Sequence, residues 1–178
     1  MWRSLSLLLL FSFVISGCTI YDIETFEITI NPGIDTVQVN SSFEDAGATA
    51  TIEGHQRRVV VIENTVDITK VGTYVIVYQA SYRNTFIRAT RIVDVVDEVP
   101  PQITLRPGID TILVGETWED AGVMVTDNSK EDVHLMTSGT VNTEVAGEYI
   151  ITYTAEDSSG NISEVQRYVN VIEENSDD

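Results

Sequence analysis

Two short stretches of the chain carry oxygen-bearing side chains that suit a hard metal ion. Asp127, Asn128 and Asp132 lie in the first stretch, and Asp157 and Asn161 lie in the second. Calcium takes about six to eight oxygen ligands of this kind, so the two stretches would supply much of a calcium site if the fold brings them together. The alternative is that each Asp or Asn bonds the backbone of its own turn, as these residues commonly do.

Other reactive side chains form no catalytic pattern. The sequence has no nucleophile motif, phosphate-binding loop or zinc-ligand spacing, and the solitary His55 and His134 are expected in loops or edge strands. The acid pairs Glu44-Asp45 and Glu119-Asp120 each precede a predicted strand, which favours turn chemistry over acid–base catalysis. We therefore expect a protein that is not an enzyme and that uses no cofactor, calcium excepted.

One phrase occurs twice and organises the chain. Pro-Gly-Ile-Asp-Thr stands at residues 32–36 and again at 107–111, an offset of 75 residues. The same offset relates two further segments to their copies: 43–47 to 118–122, and 71–78 to 146–153. A fixed-period match that keeps the apolar positions indicates two copies of one folding unit.

Alternation of apolar and polar residues predicts short β-strands in both copies and no helix. Residues 26–30 read Phe-Glu-Ile-Thr-Ile, and longer runs cover 73–79 and 86–96, while 54–56 are expected to form a loop. Short strands separated by turn residues indicate an all-β chain with two tandem sandwiches. The predicted divisions are a signal segment at 1–17, a tether at 18–25, domain 1 at 26–97, a Pro-Pro linker at 98–101, domain 2 at 102–173 and an acidic tail at 174–178.

Charge is shared unequally between the copies. The formal net charge of −18 excludes nucleic acid as a partner, because too few basic residues are present to neutralise phosphates. Residues 26–97 contain nine acidic and six basic side chains, whereas residues 101–173 contain thirteen and three. Acidity of this kind usually marks a solvated surface.

The N-terminus has the pattern of an export signal. Arg3 precedes an apolar run at residues 5–15, which is shorter than the roughly 20 residues of a membrane span. The run ends in Ile15-Ser16-Gly17-Cys18, which resembles the lipobox of bacterial lipoproteins. That resemblance implies that Cys18 becomes the lipid-bearing N-terminus and attaches the chain to a membrane of the cell envelope. The alternative is that Cys18, the only cysteine, is an ordinary residue of the apolar segment.

Both copies resemble the bacterial Ig-like domain found in a pesticidal crystal toxin and in many bacterial surface proteins. Copy two is the closer match, with Trp-Glu-Asp-Ala-Gly at 118–122, Val-Thr-Asp-Asn at 125–128 and Tyr-Thr-Ala-Glu-Asp-Ser-Ser-Gly-Asn at 153–161. Copy one departs from the family pattern, because Ile52 and Glu53 stand where the family has Asp and Asn. The resemblance implies immunoglobulin-like sandwiches and says little about function.

A glycine two residues before a tyrosine recurs in both copies. Residues 72–74 and 147–149 resemble the start of strand F in immunoglobulin-like domains, where the tyrosine hydroxyl bonds back to the chain as a tyrosine corner. Ile76 and Ile151 occupy the usual cysteine positions, so each core is expected to be held by burial alone. The alternative is that Tyr74 and Tyr149 are simply aromatic residues on an inner face.

The resemblances together imply a lipid-anchored protein exported to the bacterial cell envelope and exposed at its surface. Its domains are expected to serve adhesion, binding or spacing, with a surface protein or a glycan as partner. The alternative is a carbohydrate-binding accessory of a surface degradative system, which exposed aromatics such as Tyr82 or Phe86 on one sheet face would favour.

Immunoglobulin-like geometry also predicts a charge contrast between the copies. The two acid-rich stretches of copy two would lie at one end of that sandwich. In copy one the same end carries Arg57, Arg58 and Arg83. These arginines are expected either to face an anionic membrane or to pair with acids such as Glu53 and Glu63.

Overall fold

The computed structural model describes residues 25–174, and the chain divides between Val96 and Asp97 into two compact units. Every regular element among these residues is a β-strand, which confirms the predicted all-β fold. The signal segment, Cys18, nearly all of the tether and the end of the acidic tail lie outside the described residues. Their assignments stay predictions.

Unit 1 is a sandwich of two sheets. Its strands are β1 (Phe26–Ile30), β2 (Thr36–Gln38), β3 (Ala48–Ile52), β4 (His55–Arg57), β5 (Val59–Asn64), β6 (Gly72–Tyr82) and β7 (Thr85–Val96). One sheet has the order β1-β3-β4 and the other β2-β7-β6-β5. All pairs are antiparallel except β2, which lies parallel to β7.

The core of unit 1 lies between these sheets because the apolar residues alternate along each strand. Phe26 and Ile28 of β1 are buried, and they belong to one cluster with Ile76 of β6 and Val93 of β7. Fully burying a side chain of this size contributes roughly 1.5–3 kcal/mol. The cluster therefore supplies the main stabilisation of a unit that has no disulfide.

Unit 2 repeats the plan with fewer strands among its described residues. They are β8 (Gln102–Leu105), β9 (Thr111–Leu113), β10 (Val123–Thr126), β11 (His134–Ser138), β12 (Gly147–Glu156) and β13 (Ile162–Ile172). β8 pairs with β10, and the second sheet has the order β11-β12-β13-β9 with β9 parallel to β13. Val123, Ile151 and Tyr153 form its buried cluster, with Trp118 packed against it.

The units differ most between their third strand and the sheet change that follows. Residues 54–56 were expected to form a loop, but β4 pairs with β3 through a two-residue turn in which Glu53 (φ 49°) and Gly54 (φ 77°) both adopt positive φ. That prediction was wrong because Glu-Gly is an unusual sequence for such a hairpin turn, which favours Asn-Gly or Asp-Gly. In unit 2 no strand corresponds to β4, and an acidic loop occupies residues 127–133.

Candidate functional sites

A buried arginine lies inside each sandwich, where the sequence analysis had expected apolar residues alone. Arg91 of β7 is 2 % exposed, and its guanidinium pairs with Asp35 and lies 3.3 Å from Asp45 Oδ1. Its Nη2 donates to the carbonyls of Asn31 and Gly47, and its Nε donates to the Tyr78 hydroxyl at 3.1 Å. The charge is thus surrounded by acceptors, which offsets its desolvation cost.

Unit 2 contains the same arrangement at the repeated positions. Arg167 of β13 is also 2 % exposed, and its Nη1 donates to both carboxylate oxygens of Asp110 at 2.8 and 3.0 Å. Its Nη2 donates to the carbonyls of Arg106 and Gly122. The Tyr153 hydroxyl donates to Asp120, as that of Tyr78 does to Asp45. The network is therefore part of the repeated scaffold.

The pKa values of the network follow from this burial. Burial, reinforced by the hydrogen bond to Asp45, raises the pKa of Tyr78 to about 12, and burial with Asp120 raises the pKa of Tyr153. Burial alone would lower the pKa of Arg91, but the hydrogen bonds to Tyr78 and Asp35 outweigh it and raise that pKa. Both tyrosines stay protonated at neutral pH, so the network holds the fold and offers no general base.

Turn chemistry accounts for the two acid pairs, as predicted. Asp45 Oδ1 accepts a hydrogen bond from the Gly47 amide at 2.9 Å, and Asp120 Oδ1 accepts one from the Gly122 amide at the same distance. The edge-strand expectation for the two histidines is also confirmed. His55 lies in β4 and His134 in β11, and each strand is at the edge of its sheet.

Three carboxylates meet at one end of unit 2. Asp97, Asp127 and Asp157 each place one oxygen within 4.8 Å of the others. Asp127 and Asp157 come from the predicted calcium set. Asp97, which the sequence analysis assigned to the first domain, is tied to unit 2 by the side-chain amides of the predicted residues Asn128 and Asn161. Asp132 is exposed and lies outside this group.

Local turn bonding, the alternative for these residues, occurs at the same place. Asp157 is 6 % exposed, and its carboxylate accepts hydrogen bonds from the amides of Ser159 and Asn161 and from the Asn161 side chain at 2.8–2.9 Å. Burial raises the pKa of Asp157, but these hydrogen bonds outweigh it and hold the pKa below its usual value of 3.8. The Asp157 side chain is thus an ionised, fixed group.

In unit 1 a basic and aromatic cluster occupies the corresponding positions. The guanidinium carbons of Arg57 and Arg83 lie 4.8 and 4.9 Å from the centroid of the Tyr82 ring. Tyr82 packs against the core, whereas Phe86 is 55 % exposed on the outer face of the β6–β7 hairpin. The two aromatics therefore point to opposite faces and do not form one flat platform.

The two corner tyrosines make matching bonds. The Tyr74 hydroxyl donates to the Lys70 carbonyl at 2.9 Å, and the Tyr149 hydroxyl donates to the Val145 carbonyl at 2.8 Å. Each bond ties the start of a long strand to the turn before it. This is the geometry of a tyrosine corner.

The paired sandwiches have counterparts among known proteins. The family model described as "Bacterial surface protein, Ig-like domain" matches residues 28–95 and again residues 109–171. The two matches together cover more than half of the chain. The chain belongs to this bacterial surface Ig-like family.

Membership confirms the resemblance read from the sequence and identifies both units as modules of a kind carried by bacterial surface proteins. No curated protein matches the chain. Within residues 25–174, no helix has the length and apolar character needed to cross a membrane.

The arginine network of these Ig-like domains was the main feature that sequence reasoning missed. A signal for it was present, because Arg91 and Arg167 both occupy inward positions of an alternating strand. Their offset is 76 residues, one more than elsewhere, since the loop before β13 is one residue longer. Aligning the two copies across that loop would have paired the arginines, together with Asp35 and Asp110.

Proposed function

We propose that this chain is a lipid-anchored protein of the bacterial cell envelope that presents two non-catalytic Ig-like domains for adhesion, binding or spacing. The observation that carries the proposal is the match of both copies to a bacterial surface family, downstream of the lipobox-like residues 15–18. Lipid at Cys18 would hold the chain at the membrane, since two or more acyl chains make such attachment stable.

The chemistry of the described residues supports a non-catalytic role. The groups that burial perturbs most, Tyr78, Tyr153, Arg91 and Arg167, are all occupied by hydrogen bonds within their own sandwich. Catalytic acids and bases instead need pKa values near the working pH and access to a substrate. Partner binding by the module surfaces is the function that remains.

Fatty-acid labelling tests the anchor. The full chain is expressed in a bacterium that processes lipoproteins, with Cys18→Ser as the variant and Ser12→Ala, in the apolar run, as the matched control. Wild type and Ser12→Ala should take up labelled fatty acid, and protease added to intact cells should digest both. Cys18→Ser should remain unlabelled and unprocessed. Label on Cys18→Ser, or full protection of wild type from protease, would contradict the proposal.

The carbohydrate-binding alternative is favoured by one observation. Phe86 is exposed on the outer sheet face, and the Arg88 guanidinium, 4.8 Å from its ring, also donates to Gln79. An aromatic ring beside fixed polar groups suits a sugar. Glycan-array binding that is lost in Phe86→Ala and kept in Ile92→Ala, an exposed residue of the same face, would favour this role. A blank array would favour a protein partner or a spacer.

We further propose that the carboxylate cluster of unit 2 binds calcium. Support comes from the three converging oxygens and from Asp127 Oδ2, which is shielded from solvent and accepts no hydrogen bond from the described residues. Affinity is expected in the range of about 0.1–1 mM that extracellular modules show. Calorimetry should show binding that Asp127→Asn abolishes and Asp132→Asn retains. A flat titration of wild type at millimolar calcium would exclude the site.

A further inference from the structure

We propose that the basic end of unit 1, formed by Arg57, Arg58, Tyr82 and Arg83, docks on the anionic membrane leaflet that carries Cys18. The inference rests on the proposed lipid anchor and adds an orientation to it. The domain would rest its basic end on the headgroups instead of swinging on its tether.

The first support is the way these side chains are held. The rings and guanidinium groups are stacked, with Arg57 and Arg83 both within 5 Å of the centroid of Tyr82, which itself packs on the core. Arg57 Nε is shielded from solvent and donates no hydrogen bond within residues 25–174. The Arg57 side chain is thus positioned by an aromatic ring and keeps its positive charge.

The alternative raised by the sequence was pairing with local acids. Among the described residues, the structure records no ion pair between Arg57 or Arg58 and either Glu53 or Glu63. Glu63 lies on β5 opposite Val77, whereas Arg57 precedes that strand. The charge at this end is therefore available to an external anion.

The second support is where the chain enters the domain. The Glu53 amide in the β3–β4 turn donates to the Thr25 carbonyl at 3.2 Å, and Phe26 pairs with Ile52. The basic end is therefore the end at which the N-terminal segment joins. Cys18 precedes Thr25 by only seven residues, which span at most about 25 Å when fully extended. A lipid on Cys18 would hold this end within reach of the headgroups.

Charge complementarity selects the bilayer as the occupant. One basic residue close to an anionic leaflet raises partitioning about fivefold, and the effect extends over about one Debye length. Glu53, and Asp22 and Glu24 in the preceding segment, oppose it, so the net effect of Arg57 and Arg58 is expected to be roughly tenfold. In unit 2 the positions of Arg57 and Tyr82 are occupied by Asp132 and Asp157, and this attraction is missing.

Vesicle co-sedimentation tests the proposal without using the lipid on Cys18. The probe is the mature chain, residues 18–178 with Cys18→Ser, which keeps every residue of both hydrophobic clusters. At low salt it should bind vesicles of equimolar phosphatidylglycerol and phosphatidylcholine, but not vesicles of phosphatidylcholine alone. Arg57→Gln with Arg58→Gln should weaken binding roughly tenfold, and Arg88→Gln, which removes the same type of charge from the outer face, should not.

Further arms separate the remaining explanations. The double lysine variant at positions 57 and 58 keeps the charge, so it should retain binding even if the stacking on Tyr82 is weakened. Soluble polyphosphate should compete only weakly. Equal sedimentation with both vesicle types, an equal loss in Arg88→Gln, or full inhibition by polyphosphate would overturn the proposal. Labelling of Cys18 is scored separately, so failure of the anchor and failure of the docking remain distinguishable.

Discussion

Arg91 and Arg167 are the residues on which the two sandwiches depend most locally. Each crosses from the last strand to the loop after the first strand and to the segment before the third. Ile76 and Ile151 stand at the positions where immunoglobulin-like domains place cysteines, so no covalent bond links the sheets. The arginine networks supply a polar link in addition to the hydrophobic cores, and the matching geometry in both copies shows that the link is repeated with the fold.

Removing one of these arginines should destabilise its own unit strongly. Arg167→Met leaves Asp110, Asp120 and Tyr153 without their cationic partner, and breaking a buried ion pair costs about 3–5 kcal/mol. Thermal unfolding followed by calorimetry should show a lower melting temperature for unit 2 alone. Arg106→Met removes the same charge from an exposed side chain and should change stability little. Equal effects of the two substitutions would contradict the assigned role.

Asp157 should make the stability of unit 2 dependent on pH. Its pKa is held below the usual 3.8 by hydrogen bonds in the folded state, so its stabilising effect is present above about pH 4 and is lost as pH falls through the folded pKa. The urea midpoint of unit 2 should decline on acidification, and Asp157→Asn should flatten that decline. Asp132→Asn serves as the exposed control. An unchanged slope in Asp157→Asn would show that other carboxylates dominate.

Strand positions were predictable from the sequence because alternation and the internal repeat report which face of a strand is buried. The long strands β6, β7, β12 and β13 were located in this way, with ends shifted by a few residues. β4 was not, since its hairpin turn uses a Glu-Gly pair whose positive φ values the sequence does not advertise. An isolated short strand also carries too few residues for alternation to be read.

The candidate sites were predictable only where the family pattern specifies residues. Asp127 and Asp157 were found, whereas Asp97 was missed because its partners are distant in sequence and its neighbouring prolines suggested a linker. The arginine networks were missed for a different reason. An arginine in a strand is usually assigned to solvent, and only the three-dimensional arrangement shows that Asp35 and Asp45 approach it from two separate segments.

The loop glycines Gly33 and Gly108 illustrate how tightly these elements fit. A Cβ at either position would lie 2.8 Å from the Cβ of Ala46 or Ala121 and 3.0–3.2 Å from the buried guanidinium. Gly33→Ala and Gly108→Ala should therefore each destabilise their unit by about 1–3 kcal/mol, as overpacking does. Gly147→Ala, where a Cβ makes only ordinary contacts, is the control in urea unfolding. Loss of stability in the control alone would refute the packing argument.

At the scale of the whole molecule, one scaffold is used twice and its surface is changed. The buried arginine, its two aspartates, the inward tyrosine and the corner tyrosine recur in both units. The end that holds Arg57 and Tyr82 in unit 1 holds Asp127 and Asp157 in unit 2. Identical interiors with opposite ends indicate that the two domains have the same structural role and different contacts, which suits a surface protein with one domain next to its membrane anchor.

The most direct test of this account is the intact mass of the mature protein purified from bacterial membranes. The account predicts a chain that begins at Cys18 and carries the additional mass of covalently attached acyl groups, with residues 1–17 absent. A mass that corresponds to the unprocessed chain, or to a processed chain without acyl groups, would contradict a lipid-anchored surface protein.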